Sequence, residues 1–289
     1  MMNILVTIDK NYLQPLYVML QSLFINDDSE TMTIYLIYDH LEERDLRELR
    51  QFCTNHHATL FPIQAEAHLF AEAPVVKHYT QAMYYRLLAY KMLPKDVDKV
   101  LYLDPDILVI NSFYEFYHTN LSTYLFAAAS HTKITKLTDQ VNKLRLNSYD
   151  TKGYFNSGVL LMNLKQQRQE INEQDIFTYV RKHKLELILP DQDILNSLYG
   201  KRVLSIDDTI YNYDTRSYQT YYLLSNGEKD IDWVMTHTIF LHFCGKNKPW
   251  NKSNHNRFSI LYKHYQQIVK REKVLNKKLA SKKMRVIIL

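Results

Sequence analysis

The stretch Val100-Leu101-Tyr102-Leu103-Asp104-Pro105-Asp106-Ile107-Leu108-Val109 decides how the chain is read. Apolar and aromatic residues fill both alternating faces on either side of a stiff Asp-Pro-Asp break. A run without polar alternation suits a strand covered on both sides, as in a parallel sheet between helix layers. Two carboxylates at the end of such a strand are costly unless something neutralises them. A divalent cation removes that cost. Oxygen ligands suit Mg²⁺ or Mn²⁺, which bind few carboxylates and keep positions for substrate phosphates. Taken alone, an Asp-x-Asp is more simply a turn closed by an internal salt bridge.

Outward from this stretch the pattern alternates. Residues 3–8 and 33–38 read as buried strands, with helical spacing across 12–24 and 41–56. A third strand is expected at 58–63, a helix at 81–93 that stops at Pro94, a strand at 99–103, and a resumed strand at 107–110. Such β-α-β-α order predicts an α/β fold, a mostly parallel sheet with helices on both faces. Ligands in that architecture lie beyond the carboxyl ends of the strands. The later half is more mixed, with strands expected at 125–129, 157–163, 203–206 and 238–243 and helices at 133–146, 173–183 and 190–199. No internal repeat or linker divides the chain. The expected organisation is a catalytic body over 1–255 and a basic amphipathic helical segment over 256–289.

The 289 residues are 46% hydrophobic and 23% charged, which supports a large core. Only five are glycine, at 153, 158, 200, 227 and 245, where average usage would give about twenty. Neither a GxGxxG turn nor a GxxxxGK[ST] loop can be written, so glycine loops that cradle phosphate are excluded. Two cysteines, Cys53 and Cys244, fit a reducing compartment. No apolar run approaches the ~18 residues of a membrane span, and a cytoplasmic body is expected.

The net charge of +5 is unevenly placed. Nine Lys/Arg against the single acid Glu272 give residues 263–289 a charge of +8, leaving −3 for the rest. Leu261, Tyr265, Ile268, Leu275 and Leu279 form a helical stripe in this segment. A basic amphipathic helix suits the inner face of an anionic membrane, and so a peripheral location. The plainer alternative is a last helix packed on the core. Basic residues without a recognition motif do not argue for nucleic acid, and oligomeric state is not legible.

Four further segments carry polar groups at strand or helix ends. At Asp9-Lys10-Asn11-Tyr12 an acid and an amide can bond a ribose or base edge and Tyr12 can stack, although a helix cap needs the same residues. Asn156-Ser157-Gly158 precedes an apolar strand and suits close backbone approach by a ligand, or a bulge. Pro190-Asp191-Gln192-Asp193 is by itself an ordinary helix start. In His242-Phe243-Cys244-Gly245 a lone histidine is by default a core residue and Cys244 a small buried one. Five tyrosines between Tyr211 and Tyr222 can stack on sugars or simply pack.

As an ordered set, YLDPDILV, YFNSGVLLMNL, LPDQDILN and HFCGKNKPW closely resemble glycosyltransferase family 8, the retaining nucleotide-sugar-dependent enzymes. The resemblance runs from about residue 3 to about 250. It implies a nucleotide-sugar transferase A type fold, Rossmann-like without the glycine loops. Asp104 and Asp106 match the family's metal motif and His242 its third ligand. The imidazole favours Mn²⁺, with Mg²⁺ the alternative. Thr7, Asp9 and Asn11 match uridine-holding positions, with Tyr12 beside them, and Gly245 and Lys248 match the diphosphate loop. Arg86, Asn156, Asp191 and Gln192 match donor-sugar contacts, together with Asp104, and Gln192 is nearest the anomeric carbon. The implied donor is a uridine diphosphate hexose, glucose or galactose, and the implied acceptor a cell-envelope glycan, glycolipid or glycoprotein. Where the family usually places an acid after strand 125–129, this chain has Ser130 and His131. Gln192 is a poor nucleophile, so same-face attack is expected, with Asp191 orienting the sugar and Asp193 a reserve nucleophile. The competing expectation is a nucleotide-sugar-binding, non-catalytic partner of another transferase.

Overall fold

In the computed structural model the described residues are 1–65, 82–130 and 153–287, without the side chains of 82, 83 and 277–287. A seven-stranded sheet forms the centre. Strands β1 (Met2–Ile8), β2 (Met32–Tyr38) and β3 (Ala58–Gln64) run parallel, and β4 (Lys99–Leu103) adds parallel to β1 on its other edge. Next come β7 (Val159–Asn163), antiparallel to both neighbours, then β6 (Phe126–Ala129) and β8 (Val203–Ile206), in the order β3-β2-β1-β4-β7-β6-β8.

The apolar runs are explained by burial on both sides. Ile4, Val6 and Leu101 join one core with helix α1 (Leu13–Asn26) and α2 (Glu43–Asn55). Leu5, Val100 and Tyr102, their alternating neighbours, join a second core with α3 (Ala82–Leu87), α4 (Ala89–Met92) and Ile194. The chain is therefore an α/β protein with helices on both faces of a mostly parallel sheet, as the pattern predicts.

The Asp-Pro-Asp break does more than interrupt one strand. After it, β5 (Ile107–Val109) leaves the main sheet and joins a small second one with β10 (Phe240–His242) and β9 (Tyr213–Asp214). Residues 107–110 thus do not resume the strand of 99–103. The Asp104 N–H is drawn to Gly158 O at 2.9 Å and Ile107 N–H closes a turn on Asp104 O at 3.2 Å. Pro105 has no N–H to carry a ladder onward.

Other departures are local. The helix expected at 81–93 divides at Leu88, residue 81 lies outside the described residues, and so does the helix expected at 133–146. The strand expected from 157 begins at Val159, leaving 153–158 as a loop. Between β4 and β8 stand α5 (Tyr114–Tyr117), α6 (Leu164–Glu170), α7 (Glu173–His183) and α8 (Pro190–Tyr199). The short helices α9 (Asp208–Tyr211), α10 (Tyr218–Leu224) and α11 (Ile231–His237) follow β8, in a region where periodicity gave no helix.

The last helix, α12 (Ser259–Ile287), packs its first half against α1. Tyr262 and Val269 are buried, Lys273 Nζ sits 3.3 Å from the Tyr17 ring centroid, and Glu272 meets His56 at 3.1 Å. Beyond that point Val274 and Leu275 are more than half exposed. Core packing thus holds for the first half of the helical stripe and ends before Leu275, and the side chain of Leu279 lies outside those described. Among the described residues no helix is long and apolar enough to cross a membrane.

Candidate active site

Strand register assembles the cluster. β5 and β10 pair antiparallel with Ile107 opposite His242, and Phe243 N–H donates to Asp106 O at 3.1 Å. A histidine remote in sequence is thereby set beside the two carboxylates. His242 Nε2 is 3.4 Å from Asp106 Oδ1 and 3.9 Å from Asp104 Oδ2. One ligand atom from each of the three residues lies within 4.8 Å of the others.

Each member is held from behind. Tyr102 O–H donates to Asp104 Oδ1 at 2.5 Å, and Thr7 Oγ1 lies 3.1 Å from the same phenol oxygen. Lys248 donates to Asp106 Oδ2 and, at 3.1 Å, to Phe243 O. His242 Nδ1 is 2.9 Å from Asn212 Oδ1. Burial alone would push the Asp106 carboxyl up, but His242 and Lys248 outweigh it and hold that carboxyl well below the usual range. Burial would likewise lower the His242 imidazole, yet Cys244 and Asp106 more than reverse that.

The cluster lines a cavity of about 450 Å³. Arg86, stacked 4.7 Å from the Tyr102 ring centroid, also lines it. Its guanidinium meets Asp104 Oδ1 at 3.0 Å and Asp191 Oδ2 at 3.1 Å, and Ser157 O and Oγ at 3.1 and 3.2 Å. Ser157 O–H donates to Asp191 Oδ2 at 2.9 Å, and Asn156 Nδ2 donates to Gln192 Oε1 at 3.2 Å. Helix α8 supplies Asp191 and Gln192 from its first turn. Asn196, one turn later, pins the facing loop by accepting from Phe155 N–H at 2.7 Å and donating to Phe155 O at 2.8 Å.

The cavity gathers nine of the thirteen residues to which the family resemblance gives a site role: Arg86, Asp104, Asp106, Asn156, Asp191, Gln192, His242, Gly245 and Lys248. The other four lie apart from its lining. Thr7 reaches the cluster only through Tyr102. Asp9 is exposed and accepts from Asn11 N–H at 2.7 Å, the cap geometry, and Asn11 is exposed. Tyr12 is half-buried, edge-on to Trp250 at 5.9 Å.

Several sequence expectations need correcting. Asp193 is fully buried, with Oδ1 taking the Tyr154 O–H at 2.5 Å and Oδ2 the Ile188 and Leu189 N–H groups at 2.7 and 3.1 Å. It fastens the helix start and offers no free oxygen as a nucleophile. The close approach at Gly158 is made by the protein's own side chains: a Cβ there would stand 2.3 Å from His242 Cε1. Cys244 is half-buried and lines the cavity, not the core. Tyr213, Tyr218 and Tyr221 pack inward, so only Tyr222 of that group is exposed. Ser130 bridges to Phe155, and His131 lies outside the described residues.

Sequence reasoning missed Tyr102, Asn196, Asn212, and the pair Asp214–Arg216. Arg216, also in the cavity lining, forks onto Asp214 at 3.0 and 2.7 Å and lies against Gly245, whose φ of +84° and closeness to Arg216 both exclude a side chain. No local pattern marks any of these residues.

Comparison with known proteins agrees with this geometry. The profile of glycosyl transferase family 8 matches residues 3–254. General stress protein A of Bacillus subtilis is 25% identical over 282 residues, covering 93% of this chain and 94% of that protein. A lipopolysaccharide 1,2-glucosyltransferase of Escherichia coli K12 is 24% identical over 259 residues, 87% of this chain and 73% of that protein. Among solved structures, the galactosyltransferase LgtC in complex with donor and acceptor sugar analogs superimposes with a TM-score of 0.75 at 24% identity, over 92% of this chain and 95% of that one.

Proposed function

The chain belongs to glycosyl transferase family 8, and on that premise we propose that it moves a hexose, glucose or galactose, from a uridine diphosphate sugar to a lipopolysaccharide-type cell-envelope glycan or glycolipid. The observation that carries this is that a carboxylate–histidine cluster and a group of hydroxyl-binding polar side chains line one cavity. Asp104, Asp106 and His242 make up the first, and Asn156, Asp191 and Gln192 the second.

Two carboxylates and an imidazole fit a divalent cation, Mn²⁺ before Mg²⁺. When bound, such an ion supplies Lewis-acid neutralisation of a departing diphosphate. The residues do the remainder. Lys248 places a second positive charge where the leaving group would develop its own negative charge. Arg86 orients Asp104 and Asp191 towards a common sugar, and Asp191 fixes the sugar's hydroxyls. Thr7, Asp9, Asn11 and Tyr12 are assigned to the uridine, and Gly245 to the diphosphate loop. With Asp193 fully engaged and Gln192 a weak nucleophile, retention is assigned to attack by the acceptor on the face that the diphosphate leaves.

Residues 1–255 are taken as the catalytic unit and 256–289 as a helical segment that lays its basic end on an anionic membrane. A glycoprotein acceptor and a purely binding role remain the competitors. Transfer assays with uridine diphosphate glucose and galactose, with and without Mn²⁺, separate them by product. Asp104→Asn and Asp106→Asn should each lower Mn²⁺-dependent transfer at least ~100-fold; full activity in either would remove the metal role.

A further inference from the structure

A chain of side-chain amides joins the carboxylate–histidine cluster to Gln192, and a backbone group fixes its polarity. Gly158 N–H, which can only donate, lies 2.9 Å from Asn156 Oδ1. The Asn156 atom in that contact must be oxygen, because an amide NH₂ there would set donor against donor. Asn156 therefore turns its NH₂ to Gln192, whose Oε1 accepts at 3.2 Å. Gln192 Nε2 is left without a hydrogen bond among the described residues, on a side chain that lines the cavity.

The same logic runs the other way. The second lone pair of Asn156 Oδ1 takes Asn212 Nδ2 at 2.9 Å, so Asn212 must present its oxygen to His242 Nδ1, 2.9 Å away. Asn212 is fully buried, so no flipped arrangement can be relieved by bulk water. His242 Nδ1 must then carry the proton. Its Nε2, the atom facing Asp104 and Asp106, is the one left for a cation.

We infer that Asn156 and Asn212 are positioning residues which, anchored by the Gly158 amide, impose two polarities on one site. His242 is held with hydrogen on Nδ1, and Gln192 is held with its NH₂, not its oxygen, facing the cavity. The consequence for chemistry rests on the donor-sugar reading of the cavity. Gln192 then gives a hydrogen bond to a sugar or leaving-group oxygen, and its own oxygen is committed to Asn156. The amide oxygen is thereby withdrawn from any direct role at the anomeric carbon.

Neutron diffraction from a perdeuterated crystal of the full chain reads both polarities without substrate. Two deuterons on the Gln192 atom facing the cavity and one on His242 Nδ1 are expected. Deuterons on the Gln192 atom facing Asn156, or a bare Nδ1, would overturn the inference. Mn²⁺ titration followed by electron paramagnetic resonance gives a second readout. Asn212→Asp keeps the acceptor for Nδ1–H while giving up the donor to Asn156, and should bind Mn²⁺ more tightly than Asn212→Leu. Asn212→Leu should bind about tenfold more weakly than the wild type, with melting curves to establish folding. Equal weakening in both variants would refute the tautomer assignment. If the wild type bound no Mn²⁺, the cation reading would fall, and the deuteron positions would still decide the polarity of Gln192.

Discussion

Gly158→Ala is the smallest change that probes the cluster. A methyl group at this position would stand 2.3 Å from His242 Cε1, 2.9 Å from Asp104 Oδ2 and 3.0 Å from Asn156 Oδ1. None of the three is free to withdraw. The imidazole is tied to Asn212 and its backbone is paired with Ile107. Asp104 is tied to Tyr102 and Arg86. To reach an ordinary van der Waals separation the ring must retreat by about 1 Å, several times the ~0.2 Å tolerance of a metal–ligand bond. The expected loss is therefore at least ~10-fold in Mn²⁺ affinity, with an overpacking cost of about 1–3 kcal/mol in stability. Titration of free Mn²⁺ by electron paramagnetic resonance measures the first and urea denaturation the second. An alanine variant that bound Mn²⁺ within about twofold of wild type, while transferring sugar normally, would show that the cluster does not hold the cation.

Asn196→Ala strips both hydrogen bonds from the Phe155 backbone inside the protein and should cost about 2–4 kcal/mol in urea unfolding; a change under ~0.5 kcal/mol would deny Asn196 its role in pinning the 153–158 loop. Burial holds the Cys53 thiol and the Tyr85 and Tyr90 phenols up to about 12 in the folded chain, above unfolded values of about 8.5 and 10. Folded pKa values that are raised give stability fully present below about pH 8.5 and lost as pH climbs towards 12. The urea midpoint should therefore fall steadily above pH 9, and a flat midpoint to pH 10.5 would contradict the burial argument. Deletion of residues 275–289 should abolish sedimentation with anionic liposomes and leave the melting temperature nearly unchanged, because Val274 and Leu275 are already exposed. Undiminished sedimentation would separate the basic segment from membrane binding.

What could be read from the chain depended on whether a signal was local. The strands at 99–103 and 203–206 and the helices at 173–183 and 190–199 were legible to the residue, because period and punctuation lie within each segment. Asp104 and Asp106 were legible because carboxylates break an apolar run. His242 was not, except by resemblance: only the pairing of β5 with β10 carries it to the carboxylates, and that register is a tertiary fact. Asn196 and Asn212 were invisible for a related reason. An amide that satisfies another segment's backbone or imidazole looks, in one dimension, like any polar residue in a loop or helix.

The glycines show the same limit from the other side. Their scarcity excludes a phosphate-cradling loop, but it does not say what the remaining ones are for. Gly158 clears room for His242 and Asp104, and Gly245 clears room for Arg216 while taking a backbone angle other residues resist. In a glycine-rich loop the residue bares amides to a ligand; here it lets side chains converge. That difference follows from the chemistry of the cavity. Where carboxylates, imidazole, guanidinium and ammonium groups crowd one cavity, the backbone beside them must be the part that yields.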